Sequence, residues 1–411
     1  MNKKWLILII FLIILLIFWQ IGGINYLLAR TVFAPDYNPD LIEEESEEEN
    51  NEDNIDEQNS DEESTDNSNN EEETLFSTED LNYEIEIIGE NLEIPWEIVP
   101  LPDETFLVTE RPGRIVMLDS GEKYIVQGVE HIGEGGLLGM EISPNFEENR
   151  QLFLYYTYKE GNQIFNRVSM FRLEEKTLLD ETYILDEIPG SRFHNGGRLK
   201  FGPDGKLYIT TGDSQDSNLS QDTNSLAGKI LRINSDGTVP KDNPLQNNPV
   251  FAYGLRNPQG ISWHPISGEL FASDHGPSSQ DEINMIIPGK NYGWPTVTCG
   301  DGESQYEDPL ACYSEFTLAP SGIDFLPWDN LEESPLYVAG LRGNMVMRID
   351  LDEEGNFIRQ EELFTDYGRI RTVVYYEKSL YMATNNRDGR GIPGENDDIV
   401  LKVTPILPSN E

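Results

Sequence analysis

PDGKLYITTGD, residues 203–213, packs a turn, a five-residue strand and a second turn into eleven positions. Pro203, Asp204 and Gly205 set the bend, Leu-Tyr-Ile-Thr-Thr is β-branched and aromatic, and Gly212-Asp213 ends the run. The unit recurs as PDETFLVTERPGRIVML (102–118), NRQLFLYYTY (149–158), SGELFASDHG (267–276), SPLYVAGLRGNMVMRID (334–350) and EKSLYMATNNRD (377–388). Anchored on Phe106, Phe153, Tyr208, Phe271, Tyr337 and Tyr381, the spacings are 47, 55, 63, 66 and 44 residues. Periods near 40–50, lengthened by loop insertions, suit a four-stranded propeller blade. Six units over about 330 residues predict an all-β, six-bladed β-propeller; a pair of β-sandwiches is the alternative.

The rest of the 411 residues reads differently. Two lysines precede WLILIIFLIILLIFWQIGGINYLL, an apolar run of 24 residues (5–28) long enough to cross a bilayer. Residues 1–30 are therefore expected to be an N-terminal transmembrane helix acting as a membrane anchor. A cleaved signal peptide is the rival, but Pro35 directly follows its small-residue site, Val32-Phe33-Ala34. Residues 31–80 are expected to form a disordered acidic linker: positions 40–80 hold 20 Asp or Glu and no Lys or Arg. The propeller domain is assigned to 81–411, outside the cytoplasm, in a single-pass protein of the cell membrane. A net charge of −46 excludes nucleic acid as a partner, because neutralising phosphate needs Lys and Arg. Cys299 and Cys312 are the only cysteines, expected as a disulfide in an exported domain, with two free thiols the alternative.

Four stretches gather the polar groups of a redox site: FHNGGRL (193–199), GD (212–213), YGLRNPQG (253–260) and DHGPSSQDEIN (274–284). Each is also rich in ordinary turn residues. In a propeller they are expected to follow the same strand of their respective blades, and so to meet at one end of the central channel.

GEGGLLGMEISPNF (133–146), HNGGRLKFGPDGKLYITTGD (194–213), LAGKILRINSDGTVPKDNP (226–244), the run from Tyr253 to Pro295 ending NYGWP, and GRIRTV (368–373) resemble the soluble PQQ-dependent sugar dehydrogenases of the glucose/sorbosone and aldose type. The likeness keeps its order from about residue 88 to 405. It implies a six-bladed propeller holding pyrroloquinoline quinone (PQQ) and calcium over the channel. The quinone carries three carboxylates, which Arg256, Arg342, Arg369 and Arg371 are suited to bind, Arg369 and Arg371 sharing a strand face. By the resemblance, His194 is the general base for the anomeric hydroxyl and Asp213 orients it. Arg256 stabilises negative charge on the quinone oxygen, and Asn257, Gln259 and Thr317 contact the cofactor. The carbonyls of Gly276 and Pro277 ligate calcium, with Asp281 supporting that loop.

Three departures bear on specificity. Arg342 stands where relatives often carry Lys, Glu134 where they carry Gln near the sugar, and CYSEFTLAPSG (312–322) lacks an aromatic pair that shapes the glucose pocket. The expectation is a broad aldose dehydrogenase forming lactones and passing electrons to an external acceptor. A calcium-dependent propeller lactonase and a non-catalytic carbohydrate- or protein-binding propeller are the competing functions. The other histidines lack the support that the resemblance gives His194: a place for His131 at the channel mouth is the minority reading, His264 is expected in a turn or at the surface, and His275 beside the calcium loop.

Overall fold

The computed structural model describes residues 76–406 except 175–176, 301, 303–304 and 328–330. The expected anchor, and the linker up to residue 75, lie outside the described residues. Among those described, no helix is long and apolar enough to cross a membrane.

Six four-stranded antiparallel sheets form the blades of a propeller. The first five blades take their strands in chain order from residues 95–125, 137–189, 199–253, 258–313 and 320–363. The sixth is composite: its outermost strand is β1 (Asn82–Gly89), paired antiparallel with the last strand of the chain, Val400–Ile406. Asn82 faces Ile406 and Ile87 faces Leu401, so the start of the domain closes the ring onto its end.

The six anchor residues all fall on the second strand of their blades: Phe106–Glu110, Gln151–Glu160, Leu207–Thr211, Leu270–Asp274, Ser334–Gly340 and Ser379–Thr384. All six anchor side chains are buried. A second strand is covered on both faces by neighbouring blades, so it reads as a continuous β-branched and aromatic run instead of an alternating one. Outer strands alternate or face water, as Phe357–Leu363 does. The core lies between blades. Phe153 of the second blade meets Phe201 of the third edge to face at 5.3 Å, and Tyr208 of the third meets Trp263 of the fourth at 5.1 Å. Each such ring contributes on the order of 1.5–3 kcal/mol by leaving water.

Two expectations need correction. The polar stretches do not all follow the same strand: 212–213 and 275–280 connect second to third strands, whereas 190–198 and 254–257 join one blade to the next. They still share one end of the channel, because strand direction reverses at every step of an antiparallel meander and these two kinds of connection alternate with the others. Residues 76–80, assigned to the linker, are folded. Phe76 bridges to Leu331, the buried Thr78 hydroxyl donates to Asp350 Oδ2 at 2.6 Å, and Arg359 donates to the hydroxyls of Ser77 and Thr78. The acidic composition breaks at this point, where one aromatic and two hydroxyl residues find partners on the fifth blade.

Cys299 and Cys312 form the disulfide, with Cα atoms 5.4 Å apart. It fastens the long connection 287–310 to the fourth strand of the fourth blade, Ala311–Tyr313. This insertion, with that at 212–228 in the third blade, accounts for the stretched spacings of 63 and 66.

Candidate active site

The site stands at the channel end where these connections gather. His194 precedes the first strand of the third blade with φ of 60°, in the left-handed region that side chains rarely occupy. That backbone turns the imidazole toward the connection after Leu207–Thr211. There Nδ1 lies 2.8 Å from Asp213 Oδ1. Gly212 is required for this approach, since a Cβ would sit 2.1 Å from the His194 carbonyl oxygen. Asp213 is buried with both oxygens engaged: Oδ1 also accepts from Gln215 N at 2.8 Å, and Oδ2 accepts from Trp294 Nε1 at 2.9 Å. A base held by an oriented carboxylate is the arrangement proton abstraction needs.

Arg256 and Asn257 come from the connection entering the fourth blade. Both backbone N–H groups donate to the buried Asp274 carboxylate, at 2.8 and 2.6 Å. Burial, then the nearby Glu282, pushes Asp274 up to about 7 against those two hydrogen bonds. The Arg256 side chain donates to the His275 carbonyl at 3.1 Å and lies over the Trp294 ring. Asn257 Oδ1 accepts from Gly196 N at 3.0 Å, which ties it to the His194 turn. Its Nδ2 is buried without a partner among the described residues.

Arg369 and Arg371 enter from the sixth blade. Arg369 donates to the Leu341 carbonyl at 2.9 Å and to Asp388 Oδ2 at 2.7 Å. Arg371 donates to Gln259 Oε1 at 2.7 Å, and Ser321 Oγ donates to the same oxygen, so Gln259 acts as the partner of Arg371. Burial, then the charges of Arg111 and Arg369, pushes Arg371 down to about 9. Arg342 is exposed at the rim of a cavity of about 610 Å³ that His275, Arg369 and Arg390 also line. Buried donors unpaired among the described residues converge here: Nε of Arg111, Arg256, Arg369 and Arg371, with Asn257 Nδ2. Unsatisfied cationic donors in a buried site are suited to a planar polyanion.

The Gly276–Pro277 loop is braced by Asp281, which accepts from Gly276 N at 2.9 Å and Ala319 N at 2.8 Å. Thr317 donates to the Ser278 carbonyl, so its hydroxyl steadies this loop. Among the described residues nothing donates to the carbonyls of Gly276 and Pro277, and no cluster of three His, Cys, Asp or Glu side chains could hold a metal.

Glu134 accepts from His194 N at 3.2 Å and pairs with Arg390 at 2.7 Å; Arg390 in turn lies over Phe193. Burial works against ionisation of Glu134, but Arg390 outweighs it and holds the carboxyl at about 2. His131 stands 3.4 Å from Arg111 near the channel mouth. His264 is a turn residue, buried, whose Nδ1 accepts from Ser267 N. His275 is kept neutral, pushed down to about 4 by burial against the pull of Asp281 and Glu134, with Arg371 and Arg256 adding to the effect.

Sequence reasoning missed Arg111, Asp274, Trp294 and Arg390. Trp294 was within reach, since a tryptophan beside a polar motif needs a partner for its N–H. Arg111 and Arg390 act through contacts between blades that leave no local pattern, and Asp274 through the N–H groups just before the strand it pairs with.

The profile of the Glucose / Sorbosone dehydrogenase family matches residues 92–394. The chain is 29% identical to the aldose sugar dehydrogenase YliI of Escherichia coli, over 78% of this chain and 92% of that one. It is 34% identical to quinoprotein glucose dehydrogenase B of Acinetobacter calcoaceticus, over 55% of each. The PQQ-bound aldose sugar dehydrogenase of Streptomyces coelicolor superposes with a TM-score of 0.72 at 36% identity, covering 79% of this chain and 99% of that one. With the His194–Asp213 dyad and the inward arginines on one propeller end, the chain belongs to the glucose/sorbosone dehydrogenase family.

Proposed function

We propose that the chain is a PQQ-dependent aldose sugar dehydrogenase of broad range that oxidises the anomeric carbon to a lactone and delivers electrons to an external acceptor. The observation that carries this reading is the convergence of the oriented His194 with unpaired guanidinium and amide donors on one channel end. The donor set fits PQQ: Arg256, Asn257, Arg342, Arg369 and Arg371 are placed to hold its carboxylates and quinone edge, with Arg111 adding charge near Arg371. Calcium, a taker of oxygen ligands, fits the Gly276 and Pro277 carbonyls on a loop that Asp281 and Thr317 brace. When bound, the quinone with its calcium accepts the hydride that leaves the sugar.

His194 Nε2, opposite the nitrogen committed to Asp213, takes the proton of the anomeric hydroxyl. Asp213 stabilises the imidazolium so formed. Arg256, fixed by Asp274 and by the His275 carbonyl, supplies positive charge where negative charge develops. The Glu134–Arg390 pair borders the sugar's approach and offers both acceptors and donors to hydroxyl groups, in keeping with a broad aldose range. The apolar run 5–28 and the disulfide support a membrane-tethered domain outside the cytoplasm. Full-length protein then pellets with membranes after a high-salt wash, and a mature N-terminus near residue 35 would show secretion instead.

The test uses the purified chain with PQQ and calcium. Expected are a bound-quinone absorption band and aldose-dependent dye reduction, both lost with a chelator. A chain that retains no quinone, or retains it without oxidising any aldose, overturns the reading.

A further inference from the structure

Trp294 is only half-buried, yet its indole N–H turns away from solvent to the buried Oδ2 of Asp213, 81 positions earlier in the chain. The segment carrying it is pinned at several points. Trp294 N donates to the Gly254 carbonyl at 2.9 Å, Gln221 Nε2 donates to the Trp294 carbonyl at 2.6 Å, and Gln221 is also bonded to Asn291 at both ends of its amide. Five residues on, Cys299 fastens the segment through the disulfide. The face of the same ring lies under the Arg256 guanidinium, 5.4 Å from its centroid. One side chain from the fourth blade thus touches both the carboxylate behind the base and the arginine beside it.

We infer that Trp294 is a positioning residue that sets the orientation and basicity of the His194–Asp213 pair and holds Arg256 in place; its catalytic consequence rests on the dehydrogenase reading above. A carboxylate with one oxygen free can rotate about its Cβ–Cγ bond. Three N–H donors, from His194, Gln215 and Trp294, fix the plane of Asp213 and share its negative charge. Removing the indole donor leaves more of that charge to His194, which favours the imidazolium and raises the pH at which the base becomes neutral. The other charged groups around His194 remain in place: Glu134 at its backbone N–H, Arg390 over Phe193, and Arg256, whose carbonyl accepts from Asp213 N. A side chain that merely fills space has no path to this titration.

The first readout needs no cofactor. In the nuclear magnetic resonance spectrum of the wild-type chain, the Trp294 indole N–H signal should move as His194 titrates, and Asp213→Asn should abolish that movement. In Trp294→Phe, which keeps a ring beneath Arg256 and loses only the N–H, the His194 midpoint should rise. An indole signal indifferent to His194 protonation, or an unmoved midpoint in Trp294→Phe, overturns the inference, and the wild-type measurement decides it even where the variant does not fold. In the quinone-loaded enzyme, Trp294→Phe should lower turnover about ten-fold, the scale of one hydrogen bond to a charged group. It should also shift the acid limb of the pH–rate profile upward while quinone affinity holds. A wild-type chain that shows the coupled titration but oxidises no aldose sinks the dehydrogenase reading and leaves this coupling standing.

Discussion

His194 sits in a strained left-handed turn, bonded to a carboxylate whose Oδ1 accepts two hydrogen bonds and whose Oδ2 accepts one. Strain of this kind costs of order 1–3 kcal/mol and persists where surrounding contacts over-determine it. His194→Ala should lower turnover at least about a hundred-fold, the scale of a lost general base, while quinone binding stays near normal. Asp213→Asn keeps the base but disorients it, so its rate should fall between wild type and His194→Ala in steady-state assays at saturating quinone. Equal turnover in His194→Ala and wild type means another group is the base. Arg342→Ala separates binding from chemistry. Arg342 is exposed and makes no ion pair among the described residues, whereas loss of Arg369 strands the buried Asp388. Quinone titration should show weaker affinity in Arg342→Ala with turnover at saturation preserved; unchanged affinity removes Arg342 from the cofactor site. The pairing of His194 with Asp213 was expected through the family resemblance of the run 194–213, since each stretch alone reads as ordinary turn residues. Trp294 and Arg111 left no such signal, because their partners lie on connections that only blade packing brings together, whereas Asp274 acts within its own blade, on the N–H groups just before the strand it pairs with.

At the scale of elements, the repeat was legible to the residue. Each anchor lies on a second strand, since burial between blades demands the same composition six times over. What periodicity could not convey was direction: which connections lie at which end follows from strand reversal, and the four polar stretches were assigned to a single kind of connection when they belong to two. The closing strand also escaped notice, because NYEIEIIG (82–89) lacks the turn-strand unit and shows only the polar–apolar alternation of an outer strand. The disulfide was expected, but its role depends on the 287–310 insertion that it fastens. Closing a loop of 13 residues contributes about 3 kcal/mol in the chain-entropy model. Replacing Cys299 and Cys312 by Ala should therefore lower the calorimetric melting temperature by about 4 °C for a domain of this size. The loosened Trp294 segment should lower turnover as well. A melting temperature equal to wild type shows that the crosslink constrains nothing in the unfolded chain.

For the whole molecule, the cations of the site are local features of an acidic chain. The chain is net −46, and Arg111, Arg192, Arg256, Arg342, Arg369, Arg387 and Arg390 share the active-end connections with carboxylates such as Glu130, Glu134, Asp213, Asp222, Asp388, Asp397 and Asp398. What a polyanion meets there is the set of buried donors left unpaired among the described residues, not a basic surface. The channel beneath is charged too. A cavity of about 190 Å³ on its axis is lined by Glu97, Glu141, Asp324, Arg198 and Lys200, all in or next to first strands. Glu97 is paired with Arg198, and Asp324 with Lys200 at 2.7 Å. Glu141 forms no ion pair among the described residues and accepts only from the N–H of its neighbour Ile142. Burial, with Glu97 and Asp324 adding to it against the pull of Lys200, pushes Glu141 up to about 8. The sign of the linkage follows: below the usual carboxyl range both folded and unfolded chains are protonated at this site, and it is neutral toward stability. As pH rises from there to about 8 the unfolded chain ionises first, so folding loses stability progressively, and the loss levels off above that point. Glu141→Gln keeps the acceptor for Ile142 and removes the charge. Its melting temperature should match wild type near pH 4 and exceed it by about 1–3 °C near pH 8, the gap widening between the two. An equal offset at both pH values would mean that Glu141 titrates alike in the folded and unfolded chain, with water in the channel solvating it as well as bulk water does.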